Sequence, residues 1–228
     1  LPKLGTFIGT QIAPEVRPPI NLENFGIDVS KPIMICAGSP SKYLPANDFT
    51  LVEIAKNLGH CQFVFFDFEE HLTATLRGRL KKIFDDANLD GNQFLKFIPF
   101  LRKEEFHSLM QQADLYLDTI GFSGFNTAIQ ALECQLPIIT IEGKVMRGRL
   151  ASSLLRQIDL KDLICTSTID YIETATKLIL EDRLKNFYRN KISDNTHKIF
   201  NDQEPIRALE SLIICLLYTS DAADDTPC

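Results

Sequence analysis

From Lys31 onward the apolar residues follow two alternating textures. Short continuous runs alternate with longer stretches in which apolar positions recur every three or four residues. PIMICA (Pro32 to Ala37) is a short run ended by GSPSKYLP, and it reads as a buried strand feeding a loop. NDFTLVEIAKNLG follows, with Asn47 as candidate cap and Leu51, Ile54, Ala55 and Leu58 at i, i+3, i+4 and i+7, the single stripe of an amphipathic helix. CQFVFFDF (Cys61 to Phe68) predicts a second buried strand. EEHLTATLRGRLKKIFDDANL predicts a long helix ending near Asn88. FLKFIPF is a third strand, KEEFHSLMQQA a helix with Phe106, Leu109, Met110 and Ala113 on one face, and DLYLDT a fourth strand. A Gly- and Ser-rich turn then leads into a helix, LPIITI gives a fifth strand, and GRLASSLLRQI another helix. A short strand, LICT, precedes two or three terminal helices.

Strands that alternate with helices at this spacing need crossover connections, which make a parallel sheet covered on both faces. The uninterrupted apolar strands fit that burial. The expectation is an α/β domain with a doubly wound, Rossmann-like parallel sheet from about Lys31 to about Leu180, within a domain spanning 31–214. In such sheets ligands bind beyond the carboxyl ends of the strands, so the loops after Ala37, Phe100, Thr119 and Ile141 are the places to search.

The ends differ in character. Residues 1–30, with Pro14, Pro18 and Pro19 and few periodic apolar positions, read as an interdomain linker or extended arm. The chain starts at Leu1 without Met or a signal pattern, which predicts an origin inside a longer polypeptide. Residues 215–228, CLLYTSDAADDTPC, resemble translated adaptor sequence and are expected to be a non-native tail.

Composition narrows the function classes. A chain of 228 residues with 45% hydrophobic and 24% charged residues is globular. Its formal charge of -6, with Lys and Arg scattered, lacks the basic stripe of a nucleic-acid binder. Six cysteines occur singly without a CxxC pair, as expected in a reducing cytoplasm. The four histidines, His60, His71, His107 and His197, make no zinc spacing, and no apolar run is long enough for a membrane span. The expectation is therefore no nucleic-acid partner, no membrane span and no metal.

The loops carry the candidate chemistry. In GSPSKY, Gly38 and Ser39 can bring backbone N–H groups to an anion and Lys42 adds a charge suited to phosphate. An ordinary turn with a solvated lysine fits the same letters, and neither a Walker loop nor GxGxxG is present. In DTIGFSGFNTAIQALE, Gly121 and Gly124 bracket a turn, Ser123 can cap the helix, and the N–H groups of Gly124, Phe125 and Asn126 would be its positive end. Phe125, Ala128, Ile129 and Leu132 face the sheet, which turns Asn126, Thr127 and Gln130 toward the crevice. In EGKVMRGRLASS, Lys144, Arg147 and Arg149 crowd a helix N-terminus, where cations oppose the dipole unless an anion is bound.

The block from FIPFLRKEEFHSLMQQADLYLDTIGFSGFNTAIQALE to GRLASSLL, with the earlier AGSPSKYLPANDFTLVEIAKNLGHCQFVFF, resembles the C-terminal catalytic lobe of the O-linked N-acetylglucosamine transferase family, including SPINDLY-like members. The resemblance covers roughly Ile33 to Leu180. It implies the C-terminal half of a GT-B fold, a nucleotide-sugar (UDP-sugar) donor as co-substrate with no cofactor or metal, and a protein or peptide acceptor lying between this lobe and an N-terminal lobe of the same chain. It further implies that Lys42 neutralises the donor pyrophosphate, which makes it the catalytic candidate. Ser39 then stands where a family glutamine meets the donor, and Lys103 approaches the base. Gly124 and Thr127 hold phosphate. The sequence departs from the family at Phe125 (His), Asn126 (Thr), Gln130 (a ribose-binding Asp) and Phe106 (a His against the uracil). Phe106 is either core or a base-stacking ring. With Arg149 from the cationic loop, the expected donor-binding set is Ser39, Lys42, Lys103, Gly124, Phe125, Asn126, Thr127, Gln130 and Arg149.

The resemblance implies in-line displacement at the anomeric carbon, with Lys42 and the helix start stabilising the leaving diphosphate. Two alternatives belong to other classes. The altered positions suit a non-catalytic sugar-nucleotide-binding or scaffold domain, and a sugar-nucleotide epimerase shares the fold but needs paired carboxylates and His that these loops lack.

Overall fold

A computed structural model describes residues 5–10 and 19–224, with side chains to 218. Six parallel strands form one sheet in the order β3-β2-β1-β4-β5-β6. They are β1 (Ile33–Cys36), β2 (Gln62–Phe66), β3 (Leu95–Ile98), β4 (Leu115–Leu117), β5 (Ile138–Ile141) and β6 (Ile164–Cys165). Between and after them run α1 (Phe49–Leu58), α2 (Glu70–Asp86), the single turn α3 (Gly91–Phe94), α4 (Lys103–Gln112), α5 (Asn126–Glu133), α6 (Leu150–Gln157), α7 (Thr168–Leu180), α8 (Asp182–Asn195) and α9 (Glu204–Asp224). The chain reverses its direction of growth between β1 and β4, whose registered pairs are Met34 with Leu115 and Ile35 with Tyr116. The loops after these two strands therefore diverge around one crevice.

The continuous apolar runs are buried for the reason the pattern gives: helices cover both faces. Met34, Ile35, Phe63, Val64, Leu115, Ile138 and Ile139 are all sealed from solvent. The α1 stripe of Leu51, Ile54, Ala55 and Leu58 packs into the same core.

Several boundaries differ from the pattern. The third strand is shorter than FLKFIPF, because Phe94 closes a helical turn and Phe100 stands free at 77% exposure. Asn47 does not cap α1. Asp48 occupies the cap position without a capping bond and instead pairs with Arg79 at 2.5 Å, while Asn47 Nδ2 donates to the Ile120 carbonyl at 3.4 Å. The end near Asn88 holds: α2 stops at Asp86, and Asn88 takes the left-handed φ of 59° that asparagine tolerates.

The described part of the arm is packed rather than free. Ile8 bridges Phe200, Leu22 and Ile27 are buried, the Ile20 N–H donates to Ser108 Oγ at 2.9 Å, and Gln62 Nε2 donates to the Asp28 carbonyl at 2.7 Å. Pro14 and Pro18 lie outside the described residues. At the other end the sequence break expected after residue 214 is not a break in structure, since α9 runs through Cys215 to Asp224. No Gly or Pro interrupts it between Ile206 and Asp224, so nothing in the backbone stops the helix.

Candidate functional site

The crevice is built on two close approaches. Gly38, just past β1, lies against the end of β4: a Cβ there would sit 2.3 Å from Thr119 Oγ1 and 3.1 Å from the Tyr43 ring. Only glycine fits. Its N–H donates to the Tyr43 hydroxyl at 3.2 Å, and the chain turns through Ser39 into the short 3-10 turn Pro40–Lys42.

After β4 the chain is organised by one buried carboxylate, Asp118. Its Oδ2 accepts the hydroxyls of Ser123 and Thr140, both at 2.6 Å, and its Oδ1 accepts the Gly124 N–H at 2.8 Å. Burial raises the Asp118 pKa above the usual carboxylate value, against the pull of these donors. The network changes two expectations. Ser123 does not cap α5, which starts at Phe125 without a side-chain cap; its Oγ instead accepts the Ala151 N–H at 2.8 Å and caps α6. The Gly124 N–H is committed to Asp118 and is not free for an anion. Gly124 is still sterically required, because a Cβ would lie 2.7 Å from Thr127 Oγ1 and 2.8 Å from the Tyr116 hydroxyl. Those two oxygens share a 2.7 Å hydrogen bond.

Beside this helix start opens a cavity of about 400 Å³, lined by Gly38, Ser39, Lys103, Thr127 and Gln130 and by the rings of Phe66, Phe68, Phe100 and Phe106. Ser39, Lys103, Thr127 and Gln130, predicted from separate loops, thus meet around one space. Phe106 is half-buried and tilted against Phe66 at 5.3 Å between centroids, so it belongs to the cavity wall as well as to its helix. Phe125 packs against the core, and Asn126 is exposed at the start of α5. Pattern reading assigned Phe66, Phe68 and Phe100 to strands. Their signal was available: each lies at or past the carboxyl end of a strand, where a ring has less sheet to cover.

The cations divide. Arg149, expected in the donor-binding set from the cationic loop, pairs with Glu142 at 2.6 Å, and Arg156 binds the same carboxylate. Lys42 is outside the cavity wall, with its Nζ 4.7 Å from the centroid of Phe122. Arg147 lies over the same ring at 5.6 Å. Among the described residues no group of three or more His, Cys, Asp or Glu is placed to hold a metal ion, and no helix is long and apolar enough to cross a membrane.

A cavity with aromatic walls, hydroxyl and amide groups on one side and Lys103 in its lining can hold a ring that carries an anionic group. Comparison with known proteins gives the same direction. Residues 55–207 match the family model described as glycosyl transferase family 41. A UDP-N-acetylglucosamine–peptide N-acetylglucosaminyltransferase of Giardia intestinalis is 27% identical over 131 residues, 58% of this chain and 8% of that protein. A probable UDP-N-acetylglucosamine–peptide N-acetylglucosaminyltransferase SPINDLY of Solanum lycopersicum is 28% identical over 108 residues, 46% of this chain and 11% of that protein. The chain thus spans about a tenth of the length of these relatives. In fold, a Thermobaculum terrenum O-GlcNAc transferase mutant superposes with a TM-score of 0.71 at 22% identity, covering 93% of this chain and 38% of that one. The C-terminal domain of a Francisella tularensis group 1 glycosyl transferase gives 0.56 at 16% identity, covering 77% of this chain and 88% of that domain.

Proposed function

Because the chain belongs to glycosyl transferase family 41, we propose that its crevice is the donor-binding half of an enzyme that transfers a sugar, N-acetylglucosamine in the first instance, from a UDP-sugar to a protein or peptide. One observation carries this reading. The aromatic cavity at the point where the sheet reverses is lined by the first turn of α5 and by Lys103, so a base and a ribose would find ring surface and hydrogen-bonding groups with positive charge beside them.

The base lies among Phe66, Phe100 and Phe106, with Lys103 at the rim. Gln130 meets the ribose as a neutral amide that both donates and accepts. Thr127 and the first-turn N–H groups of α5 hold phosphate, and Lys42, beside the Phe122 ring, meets the diphosphate. In the reaction an acceptor hydroxyl oxygen attacks the anomeric carbon, the bond from that carbon to the diphosphate oxygen breaks, and the bonding pair leaves with UDP. The charge growing on the leaving oxygen is met by Lys42 and the helix start, a preorganised electrostatic site. The hydroxyl proton passes to a base outside this half. The acceptor and an N-terminal lobe would close the other side of the crevice. No metal is required in this scheme, since Lys42 supplies the countercharge. The four buried thiols, Cys36, Cys61, Cys134 and Cys165, fit a cytoplasmic setting.

The test is calorimetric titration of the chain with UDP, UDP-N-acetylglucosamine and uridine. UDP and the UDP-sugar are expected to bind, and Lys42→Ala to weaken both about tenfold or more while changing uridine little. A folded chain that fails to bind UDP at millimolar concentration contradicts the reading.

A further inference from the structure

We propose that Phe122 and Arg147 complete the phosphate side of the donor site: the Phe122 ring is a platform that holds Lys42 and Arg147 together, and the pair takes one diphosphate. This rests on the nucleotide-sugar reading of the crevice and adds two residues to it.

Three loops converge on the ring. Lys42 follows β1, Phe122 follows β4 and Arg147 follows β5, with the ammonium 4.7 Å and the guanidinium 5.6 Å from the ring centroid. The arrangement is tied by backbone, because the N–H of Ser123 donates to the carbonyl of Arg147 at 2.8 Å and the N–H of Phe122 to that of Thr119 at 3.2 Å. Ser123 is in turn fixed by Asp118 and Ala151. The ring and the guanidinium are therefore neighbours by construction of the two loops.

Charge supplies the second argument. Arg77, Arg79, Arg149 and Arg156 each have a carboxylate within ion-pairing distance. Lys42 and Arg147 have none among the described residues, and both place their charge over the Phe122 ring. A ring face attracts a cation only weakly, so both charges remain available to an anion bound beside the ring. A diphosphate, with two charged groups and oxygens on both, matches one ammonium and one planar guanidinium better than a single phosphate does.

Titration of the chain and its variants with inorganic pyrophosphate, UDP and uridine decides the matter. Arg147→Gln is expected to weaken pyrophosphate and UDP about tenfold and uridine by less than about twofold. Phe122→Leu, which keeps apolar bulk but removes the ring, should weaken both anions about threefold. Lys82→Gln, on a remote exposed face of α2, should change nothing. UDP binding that is indifferent to both Arg147→Gln and Phe122→Leu overturns the inference and leaves the nucleotide reading standing. Pyrophosphate binding that depends on both residues, with UDP bound no better than pyrophosphate, upholds the inference and removes the nucleotide. A wild-type chain that binds neither anion overturns both.

Discussion

Ser123 lies two residues before the cap of α5, yet it caps α6: its Oγ accepts the Ala151 N–H at 2.8 Å while donating to Asp118 at 2.6 Å. A single buried carboxylate thereby fixes the starts of two helices that border the crevice. Asp118→Asn replaces an acceptor with a donor. If the amide oxygen keeps Ser123 and Thr140, its NH2 faces the Gly124 N–H with nothing to accept from it. The expected loss of stability is about 2–4 kcal/mol in urea unfolding, with Ser123→Ala losing about 1–2 kcal/mol. An Asp118→Asn chain as stable as wild type would show that the network does not hold the loops.

The Tyr116–Thr127 hydrogen bond separates stability from binding. Thr127→Val leaves the buried Tyr116 hydroxyl without its 2.7 Å partner and should cost about 1–2 kcal/mol. On the donor-binding reading it also removes a phosphate contact, so UDP affinity should fall about tenfold. Adding Tyr116→Phe removes the orphaned hydroxyl. The double variant should regain most of the stability and none of the affinity, as read by unfolding and titration side by side. Recovery of both would assign Thr127 a purely structural role.

Much of this was visible in the letters, and the limits have physical causes. Alternating runs and stripes were enough to place all six strands, because a parallel sheet buried on both faces tolerates few polar interruptions. Ser39, Thr127 and Gln130 were singled out because ligand loops follow strand ends, and Lys103 through the family resemblance; the structure brings the four to one cavity. Ser123 could not be assigned correctly, since its partner Ala151 is 28 positions away and local capping rules see only the next turn. The ion pair of Arg149 was hidden as well, because its partner carboxylate, Glu142, lies just past the preceding strand end. Phe122 had no signal, because an aromatic residue in a loop reads as apolar filler until cations from two other loops are seen over it.

Glu142 pairs with both Arg149 and Arg156, and the two guanidinium groups keep its carboxyl below the usual range. Glu142→Gln should release them. Arg149 then becomes a mobile cation beside the start of α6, and UDP affinity is expected to rise about threefold at low salt and return toward wild type as salt is raised. Arg149→Gln in the wild-type background should change UDP binding by less than about twofold, because its charge is already paired. A tenfold loss there would mean that Arg149 leaves Glu142 when the donor arrives.

His107 and Glu133 meet between α4 and α5, with Nε2 and Oε2 3.7 Å apart. Desolvation lowers the histidine pKa below its ordinary 6.5; Lys103 acts in the same direction, and Glu133 and Glu104 oppose it. The folded state thus takes up a proton at lower pH than the unfolded chain does. Stability is fully present above about pH 6.5 and declines as pH falls from there through the lowered folded value. A melting temperature measured from pH 7.5 down to pH 5 should therefore drop in the wild type more steeply than in His107→Gln, which has no proton to gain. The same titration bears on the site, since Lys103 and Phe106 precede His107 on α4 and line the cavity. Protonated His107 would add a positive charge that acts on Lys103, so UDP affinity should weaken over the same pH interval in the wild type and stay flat in His107→Gln. Parallel curves for the two proteins would show that the buried imidazole keeps its neutral form throughout and is uncoupled from the crevice.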